Sequence, residues 1–339
     1  MGGDQPSGRF SLRESPTAGE VSLVLARFGL GEALEVGEPK RGSGGSVVVR
    51  TPAGRFLLKR HQSPSERRRL AHAAHDELAR QGYPVAPAAL MPGPEAGRET
   101  VIGARTYEVF RWVEASAYDG SIGATAEAGR VLEWFHRLLA AVRVPGAPEH
   151  QDAPIAALAL AAGVRLGASA AGVLRRLSLG HADAMRRVRE LGWDSWPRVV
   201  VHGDWHPGNV LYAGGRVAAV VDLDSCRLGP RALDLANGAL QFSMDLHGGA
   251  GRTPGLDGSR LAAFCRGYES AREAVISTAE LESLPWLMIG ALVVESLEAI
   301  AGTGRLGGME GEAALQMVDA QAAWMQRESG RLRAIVGGG

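Results

Sequence analysis

Apolar and polar positions change rhythm about a third of the way along the chain. Up to residue 113 the apolar residues come in short, often β-branched runs separated by turn residues. Leu34 to Glu38 and Val47 to Thr51 read as strands, with the polar stretch 39–46 (PKRGSGGS) as the loop between them. Pro52-Ala53-Gly54 is a turn and Arg55 to Arg60 a third strand. A helix follows over 64–81, opened by Ser63-Pro64 as cap and first-turn proline and ended at Gly82. Thr100 to Ile102 and Thr106 to Val113 are two more strand-like runs. After Ser116 the period lengthens. Thr125 to Val144 places Val131, Leu132, Phe135, Leu138 and Leu139 on one helical face. Residues 153–192 and 232–336 are helical as well, the latter broken by a glycine-rich stretch at 248–258. Only Val199 to Leu223 interrupts them with short strands. The expected class is α+β. Residues 1–20 form a disordered segment, 21–113 a strand-rich N-terminal lobe with a connector near 108–116, and 114–336 a larger helical C-terminal lobe.

Composition narrows the function classes. At 339 residues, one large or two ordinary domains with a sizeable core are expected. The 37 basic and 37 acidic residues cancel, which argues against nucleic acid as a partner. Cys226 and Cys265 lack metal-ligand spacing and read as core residues. Residues 1–20 have no apolar core and do not form a signal peptide. The richest apolar stretch, Trp286 to Val294, is cut by Glu295 well short of a membrane span. A cytoplasmic protein with no membrane partner is the expectation.

Chemistry concentrates in residues 199–224, VVVHGDWHPGNVLYAGGRVAAVVDLD. Asp204 and Asn209 stand five apart in a short polar loop, and Asp222 follows thirteen residues later at the end of an apolar run. Phosphoryl transfer needs this set: one carboxylate for the acceptor hydroxyl, and an amide oxygen with a second carboxylate for magnesium. A lone turn aspartate would more often cap backbone amides, and Pro207-Gly208-Asn209 is itself a good turn sequence. The three together at this spacing favour chemistry. A charge at Asp222, after Val217 to Val221, is expensive unless paired or metal-bound. Asp224 is open to a second magnesium, to substrate or to a surface role. His202 is expected to be buried and bonded to the backbone of its own loop. His206 is a neighbour for phosphates or a bystander.

HGDWHPGNV, then VVDLD, then GPRALDLA resembles the aminoglycoside phosphotransferase and choline kinase superfamily, small-molecule kinases with a protein-kinase-like fold. The match runs in order over about residues 30–240. The resemblance implies a bilobal fold with a small antiparallel-sheet N-lobe and a mostly helical C-lobe. It implies a catalytic loop at 202–209 with Asp204 as catalytic residue, a metal segment at 222–224, Asn209 and Asp222 as magnesium ligands, and Asp234 bracing the loop. It further implies that Lys59 and the loop Gly42, Ser43, Gly44, Gly45 hold nucleotide phosphates, although the loop, which lacks G-K-[ST] and the spaced G-x-G-x-x-G, reads by itself equally as a flexible hairpin. Glu108 to Val113 (EVFRWV) would be the strand whose backbone meets adenine, or on pattern alone an ordinary sheet strand. ATP and magnesium are the implied cofactors, with GTP an open alternative. Of 37 basic residues only Lys40 and Lys59 are lysines, as if a compact point charge were wanted at Lys59. Its helix partner is out of the usual register: three turns before Gly82 lie Ala71 and His72, leaving Glu66, Asp76 or Glu77. The run Arg67-Arg68-Arg69 reads as a solvated face.

The acceptor is less legible. Residues 237–339 hold 12 acidic and 8 basic residues, a bias suited to an amino sugar or amino alcohol. Glu295 ends an apolar run one turn before Glu298 and is either a substrate contact or half of an internal ion pair with Arg305 or Arg227. Trp205 and Trp286 are core residues or a wall for a sugar ring. The favoured reading is an ATP- and magnesium-dependent phosphotransferase acting on a small-molecule hydroxyl, as monomer or homodimer. The other is a pseudokinase that binds nucleotide as a sensor. A protein-substrate kinase is disfavoured because D-F-G is absent.

Overall fold

The structure, a computed structural model, describes residues 15–38, 45–61, 65–93, 97–244, 255–271 and 276–337, without the side chains of 65–67. Gly42, Ser43 and Gly44 lie outside these, as does the side chain of Glu66. The described residues form two compact units, 15–65 with Val85–Glu114, and Glu66–Pro84 with 115–337.

The first unit contains α1 (Ala18–Arg27), β1 (Glu35–Val36), β2 (Val47–Thr51), β3 (Gly54–His61), β4 (Glu99–Ile102) and β5 (Arg105–Arg111). The strands make an antiparallel sheet in the order β1-β2-β3-β5-β4. Period-two alternation sends Phe56 and Leu58 of β3 into a core with Val47, Val49, Tyr107, Val109 and Val21, Val24 and Leu25 of α1. Lys59 falls on the opposite face. α1 corrects the expectation of disorder through residue 20. Thr17 and Glu20 form a capping box, each side chain bonding the other's backbone amide, and the helix starts at Ala18.

The second unit takes α2 (Ser65–Arg80) from Glu66 onward, then α3 (Ile122–Leu139), α4 (Ile155–Leu166) and α5 (Ala171–Glu190). Four short strands follow: β6 (Arg198–Val201), β7 (Val210–Ala213), β8 (Arg216–Val220) and β9 (Arg227–Pro230). The chain closes with α6 (Ala232–Ser243), α7 (Gly258–Glu269), α8 (Thr278–Thr303), the hairpin β10 (Arg305–Leu306) and β11 (Met309–Glu310), α9 (Gly311–Arg327) and α10 (Ser329–Val336). Arg68, expected to be solvated, is 2% exposed. α8 is longer than the sequence suggested. By length and composition it is apolar enough to cross a membrane, but 67% of its apolar window is buried inside the protein, with α4, α5, α6 and α9 packed on it. It is a core helix. α3 and α7 cross where both are glycine: a Cβ at Gly129 would lie 2.0 Å from the Phe264 carbonyl oxygen, and one at Gly267 2.0 Å from that of Ala126.

Candidate functional site

Loop 202–209 and segment 221–226 are two connections held side by side. β6 leads into the loop at His202 and β7 leaves it at Val210, while β8 ends at Val220 and β9 begins at Arg227. Val201 pairs with Arg227 and Val210 with Val220, so each end of the loop is tied to one end of the segment. Val221 N–H adds a bond to the Asn209 carbonyl at 3.0 Å.

Beneath the loop lies Asp234, in the first turn of α6 and 1% exposed. Its Oδ2 accepts the His202 amide at 2.6 Å and its Oδ1 the Gly203 amide at 2.8 Å. His136 Nε2–H, from α3, also donates to Oδ2 at 3.0 Å, and Tyr268 of α7 donates its hydroxyl to His136 Nδ1 at 2.8 Å. Burial raises the Tyr268 phenol's pKa and keeps its hydroxyl protonated, and with the imidazole proton on Nε2 toward Asp234, Nδ1 is left to accept it. Burial opposes the Asp234 charge, but His136, His202 and the Gly203 amide together hold its carboxyl below the usual range. A buried carboxylate surrounded by donors is the tolerable kind. His202 is fully buried and burial lowers its pKa, keeping the ring neutral. Its Nε2–H reaches the Val221 carbonyl at 3.1 Å, one residue before Asp222, and so bonds the neighbouring segment where its own loop was expected. Gly203 has φ +78°, and a Cβ there would lie 2.2 Å from Arg227 Nη1 and 2.4 Å from the Ser225 carbonyl. Only glycine fits this turn.

On this base stands Asp204, half-buried. Asn209 Nδ2 donates to its carbonyl oxygen at 2.9 Å and to Oδ2 at 3.0 Å, which turns the Asn209 Oδ1 the other way. His206 Nε2 lies 3.5 Å from the same Oδ2, and its Nδ1 accepts the Gly208 amide at 3.0 Å. Burial works against the Asp204 charge, but His206, His202 and Asn209 hold its carboxyl below normal. Burial likewise opposes His206, which Asp204, with help from Glu295 and Asp222, raises above the usual imidazole range.

Asp222 departs from its expected setting. It lies two residues past β8 and is exposed, so the argument from a costly buried charge does not hold for it. Its backbone is unusual instead: φ 64°, ψ 62°, the one left-handed non-glycine among the described residues. Such a conformation costs energy and clusters at functional sites. Asp224, half-buried, follows in the short turn Leu223–Ser225.

Glu295 reaches the same neighbourhood from α8. Gln241 Nε2 of α6 donates to its Oε2 at 2.6 Å, and the Asn237 side chain, one turn earlier, bonds it too. Burial pushes its carboxyl up to about 7 with the Asp204 charge adding, while His206 and the two amides pull the other way. The arginines proposed as its ion partners are engaged elsewhere: Arg305 with Glu310, and Arg227 with the Ser225 and Gly203 carbonyls. Trp205 and Trp286 are 0% and 7% exposed and belong to the core.

In the first unit, Lys59 is half-buried on β3, in register with Glu108 of β5. Glu108 does not fit the adenine-contacting role. It sits inside the sheet, paired with Lys59 on one side and Glu99 on the other, and its carboxylate lies 2.6 Å from His61 Nε2, both buried. Only past Arg111 does the chain leave the ladder. Trp112 N–H meets the Arg55 carbonyl at 2.9 Å, and Val113 follows. Gly45 ends its loop at φ +97° against the Arg60 guanidinium. On α2, Glu77 binds Arg80 and Gln81, and Asp76 lies 3.9 Å from His75. His136, Tyr268, Asn237 and Gln241 escaped the sequence reading. Only His136 carried a signal, a histidine beside Phe135 on the apolar face of its helix.

A sequence model of the phosphotransferase enzyme family (APH) matches residues 40–274. The chain belongs to this family. As a phosphotransferase it also shares the protein-kinase-like fold with solved structures of low identity. An aminoglycoside phosphotransferase from Alicyclobacillus acidocaldarius superposes with a TM-score of 0.65 at 18% identity, covering 98% of this chain and 100% of that one. A microcompartment-associated aminopropanol kinase gives 0.68 at 16%, covering 92% and 98%. An amicoumacin kinase in complex with AMP-PNP, Ca2+ and Ami gives 0.65 at 14%, covering 91% and 92%. No curated protein matches the chain.

Proposed function

We propose that this phosphotransferase moves the γ-phosphoryl group of ATP to a hydroxyl of a small amino sugar or amino alcohol, with magnesium. GTP would serve the same site chemistry. The carrying observation is the Asp204–Asn209 pair: one amide fixed on one carboxylate, in a loop hung by two backbone amides from a buried aspartate. Asp204, kept ionised by its neighbours, accepts the hydroxyl proton. The acceptor oxygen bonds the γ-phosphorus as the bond to the β–γ bridging oxygen breaks, and the nucleoside diphosphate leaves. Asn209 Oδ1 and the exposed Asp222 carboxylate are hard oxygen donors, the set magnesium takes. When bound, magnesium neutralises charge on the phosphates. Lys59 and the loop Gly42–Gly45 bind phosphates, and the backbone at Val113, in place of Glu108, meets the base. Asp224 and Glu295 face the acceptor. The AMP-PNP and divalent ion of the amicoumacin kinase complex support the nucleotide and metal assignment.

Asp204→Asn and Asp204→Ala should lower ADP release on a competent acceptor by roughly 100- to 10,000-fold. Nucleotide affinity, read by calorimetry, should stay near the wild-type value. Near-full turnover in either variant would remove Asp204 from this role. Nucleotide binding with no ADP release across amino sugars, amino alcohols, homoserine and nucleosides would leave only a nucleotide-binding protein.

A further inference from the structure

The acceptor's amine can be specified further, on the condition that the phosphotransfer reading holds. Glu295 receives Gln241 Nε2–H and the Asn237 side-chain amide, both from one face of α6. With its nitrogen so used, Asn237 keeps a carbonyl oxygen that has no hydrogen-bond donor, in a residue only 8% exposed. Leaving such an oxygen without a donor is costly, and native structures seldom do so without a reason. A carboxylate beside an unmatched carbonyl is an arrangement of acceptors that calls for a cation with several N–H groups. A protonated primary amine has three.

A quaternary ammonium has no N–H and is received by aromatic faces instead. The aromatic side chains of the loop, α6 and α8 are already used. Trp205 is fully buried and edge-on to His202, with ring centroids 5.4 Å apart. Phe242 is fully buried and stacked on Phe264. Trp286 is covered by the Arg187 guanidinium, 4.6 Å from the ring centroid. α6 packs on the 207–209 turn, and the charges of Asp204 and Glu295 act on each other. The amine site and the Asp204 carboxylate therefore share one neighbourhood.

We propose that the acceptor presents a protonated, N–H-bearing amine to the Glu295 carboxylate and the Asn237 carbonyl oxygen, and that quaternary ammonium alcohols are rejected.

The test is ADP release over 2-aminoethanol and its N-methyl, N,N-dimethyl and N,N,N-trimethyl forms, with glucosamine against glucose. Calorimetry reads binding of any compound that is not turned over. The expected result is a stepwise decline with methylation, about tenfold or more in kcat/KM or affinity by the trimethyl form. Glucosamine should be favoured over glucose by a similar factor. Glu295→Gln and Asn237→Ala should raise KM for the amine about tenfold while KM for nucleotide stays put, with thermal unfolding confirming that each is folded. Trimethyl and primary forms used equally well would overturn the inference, as would an unchanged amine KM in Glu295→Gln. So would binding of none of the amines. Turnover of glucose as readily as glucosamine would sink the amine site while leaving phosphotransfer intact.

Discussion

A carboxyl group pushed up to about 7 keeps its proton over a range where an exposed glutamate has lost it. For Glu295 the ordinary value is 4.5, so between 4.5 and 7 the folded protein binds a proton that the unfolded chain does not. Its contribution to stability is therefore present at low pH and lost as pH rises through 7. Recognition of a cationic amine runs the other way, because it needs the carboxylate. The groups facing Glu295 are Asp204 and His206 from the loop, and Gln241 and Asn237 from α6. Two results should follow. Amine affinity should rise by up to about tenfold from pH 6 to pH 8 in the wild type and stay flat in Glu295→Gln. The same variant should melt higher than wild type at pH 8 and at nearly the same temperature at pH 5. A variant that melts lower at pH 8 would show that Glu295 stabilises the fold. At this scale the sequence already exposed much of the candidate site: Asp204 and Asn209 by their spacing in a polar loop, Asp222 and Glu295 at the ends of apolar runs. It did not tell the buried Glu108 from an adenine contact. The alternation in EVFRWV is the same whether a residue lies inside the ladder or beyond its end.

Between elements, three helices converge on one loop. Tyr268 of α7, His136 of α3 and Asp234 of α6 form a buried chain of hydrogen bonds ending on the amides of His202 and Gly203. Positions 136, 234 and 268 share no local pattern, and only the packing of helices distant in sequence brings them together. That is why GPRALDLA could mark Asp234 while its two supporters went unnoticed. Local signals did mark α3, β2 and β3, and they would have marked α1, whose Thr17–Glu20 box stands in plain sequence. The β10–β11 hairpin is two residues a side, too short for alternation to register. Tyr268→Phe keeps the ring that fills the core and removes one donor, leaving His136 Nδ1 unmatched. Stability should fall by about 1–3 kcal/mol, read from denaturant midpoints. If the chain also orients the loop, kcat should fall several-fold at unchanged nucleotide KM, and adding His136→Asn, which removes the donor to Asp234 itself, should lower it further. A stability loss with full kcat would confine the chain to a packing role.

Across the whole chain, opposed titrations decide how stability follows pH. Asp204 and Asp234 have carboxyls held below their usual values by the partners described above, Glu127 by the Arg130 guanidinium, and Asp257, against burial, by the Arg260 and Ser259 amides and the Arg260 side chain. Their support is present above the unfolded values and is lost as pH falls through about 4 and below. Glu295 moves oppositely between 7 and 4.5. His150 pulls against Glu295 over almost the same window. Burial, with the charges of Arg227 and Arg198, lowers its pKa to about 4, against an ordinary 6.5. Its amide anchors the chain to the Leu228 carbonyl at 2.7 Å, and its ring meets Trp193 edge-on at 5.6 Å. The folded protein refuses a proton there that the unfolded chain accepts, so stability falls as pH drops from 6.5 to 4. His202 and His181, whose pKa values burial also lowers, act with His150, while His206, raised by Asp204, acts with Glu295, so the wild type should lose stability gradually below about pH 6.5 and steeply below about 4. Replacing His150 removes one of the three histidines on that side of the balance. His150→Asn should be less stable than wild type at pH 7.5 from lost packing, but the gap must narrow steadily as pH falls to 4.5. Melting both proteins across that range gives the answer, and a gap that stays constant would mean that His150 is as free to protonate in the folded chain as in the unfolded one.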